Sequence, residues 1–436
     1  MNLREKYQPK IFASLLVISF YALLLCSACA DQSLYLINAL NSDNDEINVS
    51  DEYNLSNNSN DSVYGQVFSL GNSSVYSVWQ DSMSSELNNP DSINYDIFFK
   101  KIDFNGINND SLTNISNNPG FSEHPQISSS DKNVYITWVD DSNGGKHILY
   151  RYSTNYGKSF GNVLQLSTGG YENSNVEISS FGKFVHIVWQ QKNLDNSSIV
   201  VKSSSDFGKT FGKGVIVSNY ADGSYPKIFT DDDVVYVSWN VDDRRSYDTT
   251  LNSNNNDVRN AKGIFFSKSD DAGKKFSIPL KLNNGAYFLN GESQISGAKN
   301  HVFISWTQKN SIYDNSKLLV AKSSDKGDTF RFNQINLTRS DISNPSNVEL
   351  TSYGDSVFLT FQASKVNSAL NVNDEIFLTL INSHNASDTK IYNVSNNEGF
   401  SECPSISINQ DNGVISISWE DRTYGNNEVL FRNVSY

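Results

Sequence analysis

Alternating apolar and polar positions dominate this chain, and the alternation repeatedly ends in an aromatic residue. The runs are VYSVW to Trp79, VYITW to Trp138, VHIVW to Trp189, VYVSW to Trp239, VFISW to Trp306 and ISISW to Trp419, with a seventh, VFLTF, ending in Phe361. Every tryptophan of the chain occupies this one place. Period two with β-branched and aromatic content predicts a buried strand. The shortest step between aromatic ends is 50 residues, from Trp189 to Trp239, and the longest is 67, from Trp239 to Trp306. A repeat near that length with several short strands predicts a β-propeller blade. The expected fold is therefore all-β, a seven-bladed propeller.

Three further strands accompany each such strand, here named b. Strand a is a brief run beside a proline: His124-Pro125-Gln126-Ile127, Tyr225-Pro226-Lys227-Ile228 and Cys403-Pro404-Ser405-Ile406. Proline is tolerated at the first residue of a strand, so these strands are expected to begin there. Strand c reads ILYRYS (148–153), IVVKSS (199–204), IFFSKS (264–269), LLVAKS (318–323) and EVLFRNV (428–434). Strand d reads TNIS (113–116), LQLS (164–167), VIVS (215–218), LKLN (280–283), INLT (335–338) and YNVS (392–395). The chain ends after the seventh c strand, and the missing d strand is expected at the other end, as INVS (47–50). Pairing it with blade 7 closes the ring and removes an open edge. Residues 51–63 are then a surface link, 31–45 a flexible stalk, and 46–436 the propeller.

The c–d turns carry a second repeat: Ser153-x-Asn155-x-Gly157-x-x-Phe160, Ser204-x-Asp206-x-Gly208-x-x-Phe211, Ser269-x-Asp271-x-Gly273-x-x-Phe276 and Ser323-x-Asp325-x-Gly327-x-x-Phe330. The acidic or amide side chain accepts turn N–H bonds, glycine supplies positive φ, and the aromatic plugs the blade edge. Four spaced copies resemble the Asp-box, or BNR repeat, of the sialidase superfamily. That resemblance implies that the boxes are structural and lie away from the active site. It also implies six blades, the alternative to the seven counted here. It further implies an arginine triad for the sugar carboxylate, a Tyr/Glu nucleophile pair and an Asp acid.

The triad does not assemble from this sequence. The superfamily's early Arg-Ile-Pro motif is absent. Arg151 and Arg432 fall on c strands, and Arg331 and Arg339 flank a d strand. Arg244, Arg245 and Arg259 share one long b–c insertion of blade 4, and Arg422 lies in the b–c loop of blade 7. The carboxylates are more suggestive. Asp81, Asp140-Asp141, Asp242-Asp243 and Glu420-Asp421 follow the b strands. Glu123 and Glu402 lie in the near-identical phrases NPGFSEHP and NEGFSECP. Antiparallel order places b–c and d–a loops on one face and the boxes on the other. The candidate binding residues are accordingly Asp140, Asp242, Arg245, Glu123, Glu402, Asp421 and Arg422. No catalytic residue, metal site or cofactor is expected; Ca²⁺ is a candidate ligand of the carboxylates, the alternative being turn capping.

Composition narrows the partners. The formal net charge is −14 and the pI about 4.8, which disfavours nucleic acid and anionic membrane surfaces. Arg4, Lys6 and Lys10 precede an uncharged run from Ile11 to Ala30. Residues 1–30 thus read as a signal peptide cleaved after Ala30, a lipoprotein signal with Cys29 lipidated, or a retained anchor; each exports the chain. Only Cys403 remains beyond that segment, so an internal disulfide is excluded. Sequons include Asn48, Asn72, Asn114, Asn196, Asn336 and Asn393. The reading is an exported, monomeric cell-surface propeller, touching the membrane only through its N-terminal segment. It is expected to be a non-catalytic module for a glycan, a protein or an envelope component. The alternative is a secreted exo-sialidase.

Overall fold

The structure, a computed structural model, describes residues 47–71, 74–82, 94–103, 112–194, 196–218, 222–241, 263–283, 288–289, 291–309, 316–335, 342–368, 371–381 and 390–435. Among them there is no helix. The chain divides into a large unit, residues 50–433, and a small one of residues 1–49 and 434–436.

Seven antiparallel sheets make the propeller. Blade 1 is Ser62–Leu70, Ser74–Asp81, Asp96–Asp103 and Thr113–Asn114; blade 2 is Ser122–Ser130, Asn133–Asp140, His147–Ser153 and Leu164–Gln165. Blade 3 is Glu172–Phe181, Phe184–Lys192, Ser197–Ser204 and Val215–Ile216; blade 4 is Gly223–Asp231, Val234–Val241, Gly263–Ser269 and Leu280–Lys281. In blade 5 the a strand is Gln294–Ala298, preceded by Phe288–Leu289, and His301–Lys309, Lys317–Ser323 and Arg331–Ile335 follow. Blade 6 is Ile342–Tyr353, Ser356–Ser368, Asn371–Ile381 and Ile391–Asn393; blade 7 holds Ser401–Ile408, Ile415–Asp421 and Glu428–Ser435. Each a strand touches the a strands of both neighbouring blades, and those of blades 7 and 1 also meet, so seven a strands line the axis.

The tryptophans weld blade to blade. All six, with Phe361, are at most 1% exposed. Trp138 packs with Ile127 and Leu149 of its own blade against Val78 and Phe99 of blade 1. Trp239 does the same against Val188 and Ile199 of blade 3.

The ring closes through the N-terminal region, in a different register from the one the sequence suggested. Tyr53–Asn54 pairs with Phe431 and Leu430, Leu55 N donates to Val429 O, and Val429 N donates to Ser56 Oγ. Blade 1 shows the same pattern: Phe98 pairs with Asn114, Ile115 N donates to Ile97 O, and Ile97 N donates to Ser116 Oγ. YNLS (53–56) is therefore the seventh d strand, inside the stretch expected to be a surface link. Residues 47–50 also pair with the last strand, Asn48 with Ser435 and Val49 with Val434; they are an extension of the clasp rather than its core. In blade 5 Ile335 takes the buried position opposite Leu318, and the rest of the expected INLT strand, 336–338, lies outside the described residues. The prolines are displaced too. Pro125, Pro226 and Pro404 lie inside their strands, three residues from the start.

Candidate functional site

Those prolines mark a repeated distortion. In blade 2, Glu123 pairs with Val139 and Gln126 with Thr137, three steps on one strand against two on the other. The extra residue is a β-bulge, which re-aims one side chain. The same break recurs in blades 1, 3, 4, 6 and 7. The bulged residue has positive φ each time: Tyr64 (54°), His124 (51°), Asn175 (50°), Tyr225 (49°), Asn347 (46°) and Cys403 (49°). In blade 5 Glu292 takes that place. Left-handed backbone at non-glycine residues costs about 1–3 kcal/mol each and persists only where the surroundings enforce it. Here neighbouring blades enforce it: Tyr64 N donates to Glu420 Oε1 at 2.7 Å and His124 N to Gln80 Oε1 at 3.3 Å.

This ring surrounds the mouth of the axis on the b–c/d–a face. Tyr64 (39%) and Tyr225 (43%) are exposed, and the rings of Tyr64 and His124 lie 4.3 Å apart. Asn175 Nδ2 and Asn347 Nδ2 donate to Gln190 Oε1 and Gln362 Oε1 at 2.7 and 2.8 Å. Burial lowers the His124 pKa against the opposing pull of Glu123, so the ring favours its neutral form.

Below the mouth lies a charged floor. Lys227 Nζ reaches Glu177 Oε1 of blade 3 at 2.5 Å and Glu292 Oε2 of blade 5 at 3.2 Å. Burial would discharge this lysine, but Glu177, Glu292 and Glu349 together hold it charged. Gln294 Nε2 donates to Glu349 Oε1 at 2.8 Å. Burial, outweighing Lys227, pushes the Glu349 carboxyl up to about 8. On the wall, Glu402 stands directly opposite Glu420 in the ladder, beside Cys403. Burial pushes Glu420 up to about 7, against the Tyr64 N–H bond that would lower it; burial and Glu420 raise the Cys403 thiol.

The sequence candidates divide. Glu123 and Glu402 reach the mouth; Glu123 pairs with Lys146. Asp140 and Asp421 turn inward as latches. Asp140 Oδ2 accepts Trp138 Nε1, Asn118 Nδ2 and Ser122 Oγ at 3.0, 2.8 and 2.7 Å. Asp421 Oδ2 accepts Trp419 Nε1, Asn397 Nδ2 and Ser401 Oγ at 3.0, 2.7 and 2.8 Å. Asp81 repeats the set with Trp79, Asn58 and Ser62. Burial works to raise Asp140, but the bonds from Ser142, Asn118, Ser122 and Trp138 prevail and lower it. Each latch is preceded by Asn-φ-Ser-Asn-Asn: 54–58, 114–118 and 393–397. Their serines are buried and donate to Glu428, Asp96 and Glu375, so the sequons at Asn114 and Asn393 carry fold chemistry. Arg422 ties Nε to Asn427 Oδ1 within its own turn at 2.7 Å. Asp242, Arg245 and the rest of the blade 4 insertion lie outside the described residues, as does Cys29.

Tyr64, Tyr225, Asn175, Asn347, Glu292 and Lys227 were not among the sequence candidates. For Tyr64 and Tyr225 the signal was the following Gly65 or Pro226 early in strand a; Asn175, Asn347, Glu292 and Lys227 precede neither residue type and carried no such mark.

The Ser-x-Asp turns occupy the opposite face. Ser153, Ser204, Ser269 and Ser323 Oγ donate to Asn155, Asp206, Asp271 and Asp325 Oδ1 at 2.7–2.8 Å, and each Oγ accepts from Gly157, Gly208, Gly273 or Gly327 N. Gly157 has φ +78°, and a Cβ there would meet Phe99 of blade 1 at 2.6 Å. Phe160, Phe211 and Phe330 pack edge-on against Phe99, Tyr150 and Phe266 of the preceding blade, and Phe276 joins the blade 3–4 core. Among the described residues, no group of three or more His, Cys, Asp or Glu side chains is placed to hold a metal ion.

No family model matches the chain, and no curated protein does. Among solved structures, the chain is similar to a protein of unknown function from Dyadobacter fermentans DSM 18053, at 12% identity and TM-score 0.49, covering 89% of this chain and 99% of that one. It is similar to the α-L-arabinanase of Penicillium chrysogenum complexed with arabinobiose, at 12% identity and TM-score 0.48, covering 72% and 93%. A leech intramolecular trans-sialidase matches at 12% identity and TM-score 0.44, covering 88% and 70%. These likenesses concern the path of the chain and assign no residue of the mouth.

Proposed function

We propose that this protein is an exported, carbohydrate-binding propeller whose ligand sits at the axial mouth. One observation carries the reading: the exposed rings of Tyr64 and Tyr225 and the half-buried ring of His124 stand among amide and carboxylate groups of Asn175, Asn347, Glu292 and Glu402. Aromatic faces take up the apolar face of a sugar, and flanking acceptors take its hydroxyls. The basic N-terminus ahead of Ile11–Ala30 supports export, and the four Ser-x-Asp turns support kinship with Asp-box proteins.

The ligand is not a sialoside. Among the described residues the mouth presents carboxylates, and Arg422, tied through Nε to Asn427 Oδ1, stands there without the two further arginines of a triad, so a sugar carboxylate lacks its full clamp. Binding of the purified chain to an array of uncharged, amino-bearing and sialylated oligosaccharides tests this. Uncharged glycans should be retained, and Tyr64→Ala with Tyr225→Ala should abolish retention. Preferential retention of sialylated glycans, or release of a fluorogenic sialoside, would overturn the reading.

A second reading, a hydrolase of uncharged glycosides, draws on the Glu402–Glu420 pair. A carboxyl held protonated near neutral pH beside a second carboxylate is the arrangement glycoside hydrolysis uses. Turnover of aryl glycosides, lost in Glu420→Gln, would favour it over binding alone.

A further inference from the structure

The phrases around Gly120 and Gly399 contain one residue type that the fold does not require. Asn118 and Asn397 hold the latch carboxylates, and Ser122 and Ser401 complete them. The glycines permit a close approach: a Cβ on Gly120 would meet Ser142 N at 2.4 Å, and one on Gly399 would meet Thr423 N at 2.5 Å. Phe121 and Phe400 remain. Phe400 is 50% exposed, and blade 1 has Asp61 at the same place, so no core needs a ring there.

Phe121 has an aromatic partner on this face, and Phe400 shares its end of blade 7 with a second exposed ring. Phe121 meets Tyr95 edge-on at 5.0 Å, and Ser122 N donates to Tyr95 O at 2.9 Å. Beside Phe400, Gly399 N donates to Thr423 Oγ1 at 3.1 Å, which brings up Tyr424, 58% exposed. Acceptors stand beside Phe121 and Tyr424. Asp141 Oδ1 takes Phe121 N at 2.7 Å, and Glu52 Oε1 takes the Tyr424 hydroxyl at 3.3 Å. Tyr64 and His124, at the axis, belong to the blades between and beside them.

We infer that the loops of blades 7, 1 and 2 extend the axial mouth into a multi-ring platform for an uncharged polysaccharide chain. This rests on the carbohydrate reading above and adds chain length and charge to it. Rings spread over three blades, the Tyr95–Phe121 pair and the exposed Phe400 and Tyr424, suit successive sugar units, whereas one terminal sugar would need only the axial pair. Glu123 and Glu52 are paired with Lys146 and Arg432, but Asp61, Asp141 and Glu402 on this face, with the net charge of −14, repel an anionic polymer.

Calorimetric titration of the full mature chain with cello- and chito-oligosaccharides of one to six units, and with hyaluronan oligomers, tests the platform. Affinity for at least one uncharged series should rise by about a hundredfold from dimer to hexamer. Phe400→Ala with Tyr424→Ala should weaken hexamer binding about tenfold and leave dimer binding unchanged. Tyr64→Ala should weaken both. Affinity independent of length, with the Phe400/Tyr424 variant unaltered, would overturn the platform and leave the axial site standing. Stronger binding of hyaluronan would overturn the charge assignment. No binding of either uncharged series at any length would overturn the carbohydrate reading itself.

Discussion

If YNLS is the closing strand, the cost of disabling it should sit at Leu55 and Ser56 and not at residues 48–49. Leu55 is 1% exposed and packs with Val67, Val75, Val429 and Phe431. Truncation to alanine at such a site costs about 2–5 kcal/mol. Ser56 Oγ donates to Glu428, which is 2% exposed, and accepts from Val429 N. Ser56→Ala leaves a buried carboxylate short of one donor and a backbone N–H without its acceptor, about 1–3 kcal/mol for each group. Val49 is only half-buried on a two-residue pairing, so Val49→Ala should cost under about 1 kcal/mol. Against a total stability of about 5–15 kcal/mol, Leu55→Ala is a large fraction and Val49→Ala a small one. Urea unfolding followed by tryptophan fluorescence reads the difference. Deletion of residues 1–50 should leave the transition nearly in place, while deletion of 1–56 should abolish it. A Val49→Ala loss equal to that of Leu55→Ala would refute the assignment.

Three further outcomes follow from groups already placed. Burial holds His186 down to about 4 from 6.5; its folded pKa is depressed, so the unfolded state takes the proton first and stability falls between pH 6.5 and 4, by about 3 kcal/mol. His186→Phe, the residue type found at the equivalent Phe303 and Phe358, should remove that part of the acid sensitivity in pH-dependent urea melts. Glu420, raised to about 7, acts in the opposite sense: its stabilisation is present below pH 4.5 and lost as pH rises through 7. Glu420→Gln, which still accepts from Tyr64 N, should therefore be the more stable protein at pH 8. Trp138 Nε1 donates to Asp140, whereas the buried Trp189 Nε1 has no partner; Trp138→Phe should cost about 1–3 kcal/mol more than Trp189→Phe by thermal denaturation.

The b strands were legible because both of their faces are buried, which forces long apolar and aromatic runs ending at Trp. The closing strand was harder to find. INVS and YNLS both fit the d pattern, and the surrounding Asn and Ser resembled a linker; the Asn57-Asn58 pair that follows YNLS, repeated at 117–118 and 396–397, was the discriminating signal. Asp140 and Asp421 drew attention as exposed-loop acids, yet their partners Asn118 and Asn397 lie more than twenty residues away and cannot be read from spacing. The mouth was least legible. A bulge is a property of two strands in register, so tyrosine, histidine, asparagine and cysteine all occupy the one position, at Tyr64, His124, Asn175 and Cys403.

The clasp between the first and last strands also sets an order of events. Val429 N and Ser56 Oγ are 373 residues apart in sequence. At a synthesis rate of roughly 5–20 residues per second, the N-terminal strand waits on the order of 20–75 s for its partner. The thermodynamic cost of that span is small, because loop-closure entropy grows only logarithmically. The delay matters more: until residues 428–431 emerge, blade 7 lacks its outer strands and blade 1 stands beside an incomplete neighbour, with two sheet edges open to mispairing. A chain stalled or clipped near its C-terminus can build six blades and still never close. Closure of the ring therefore waits on residues 428–431, however early the other blades form.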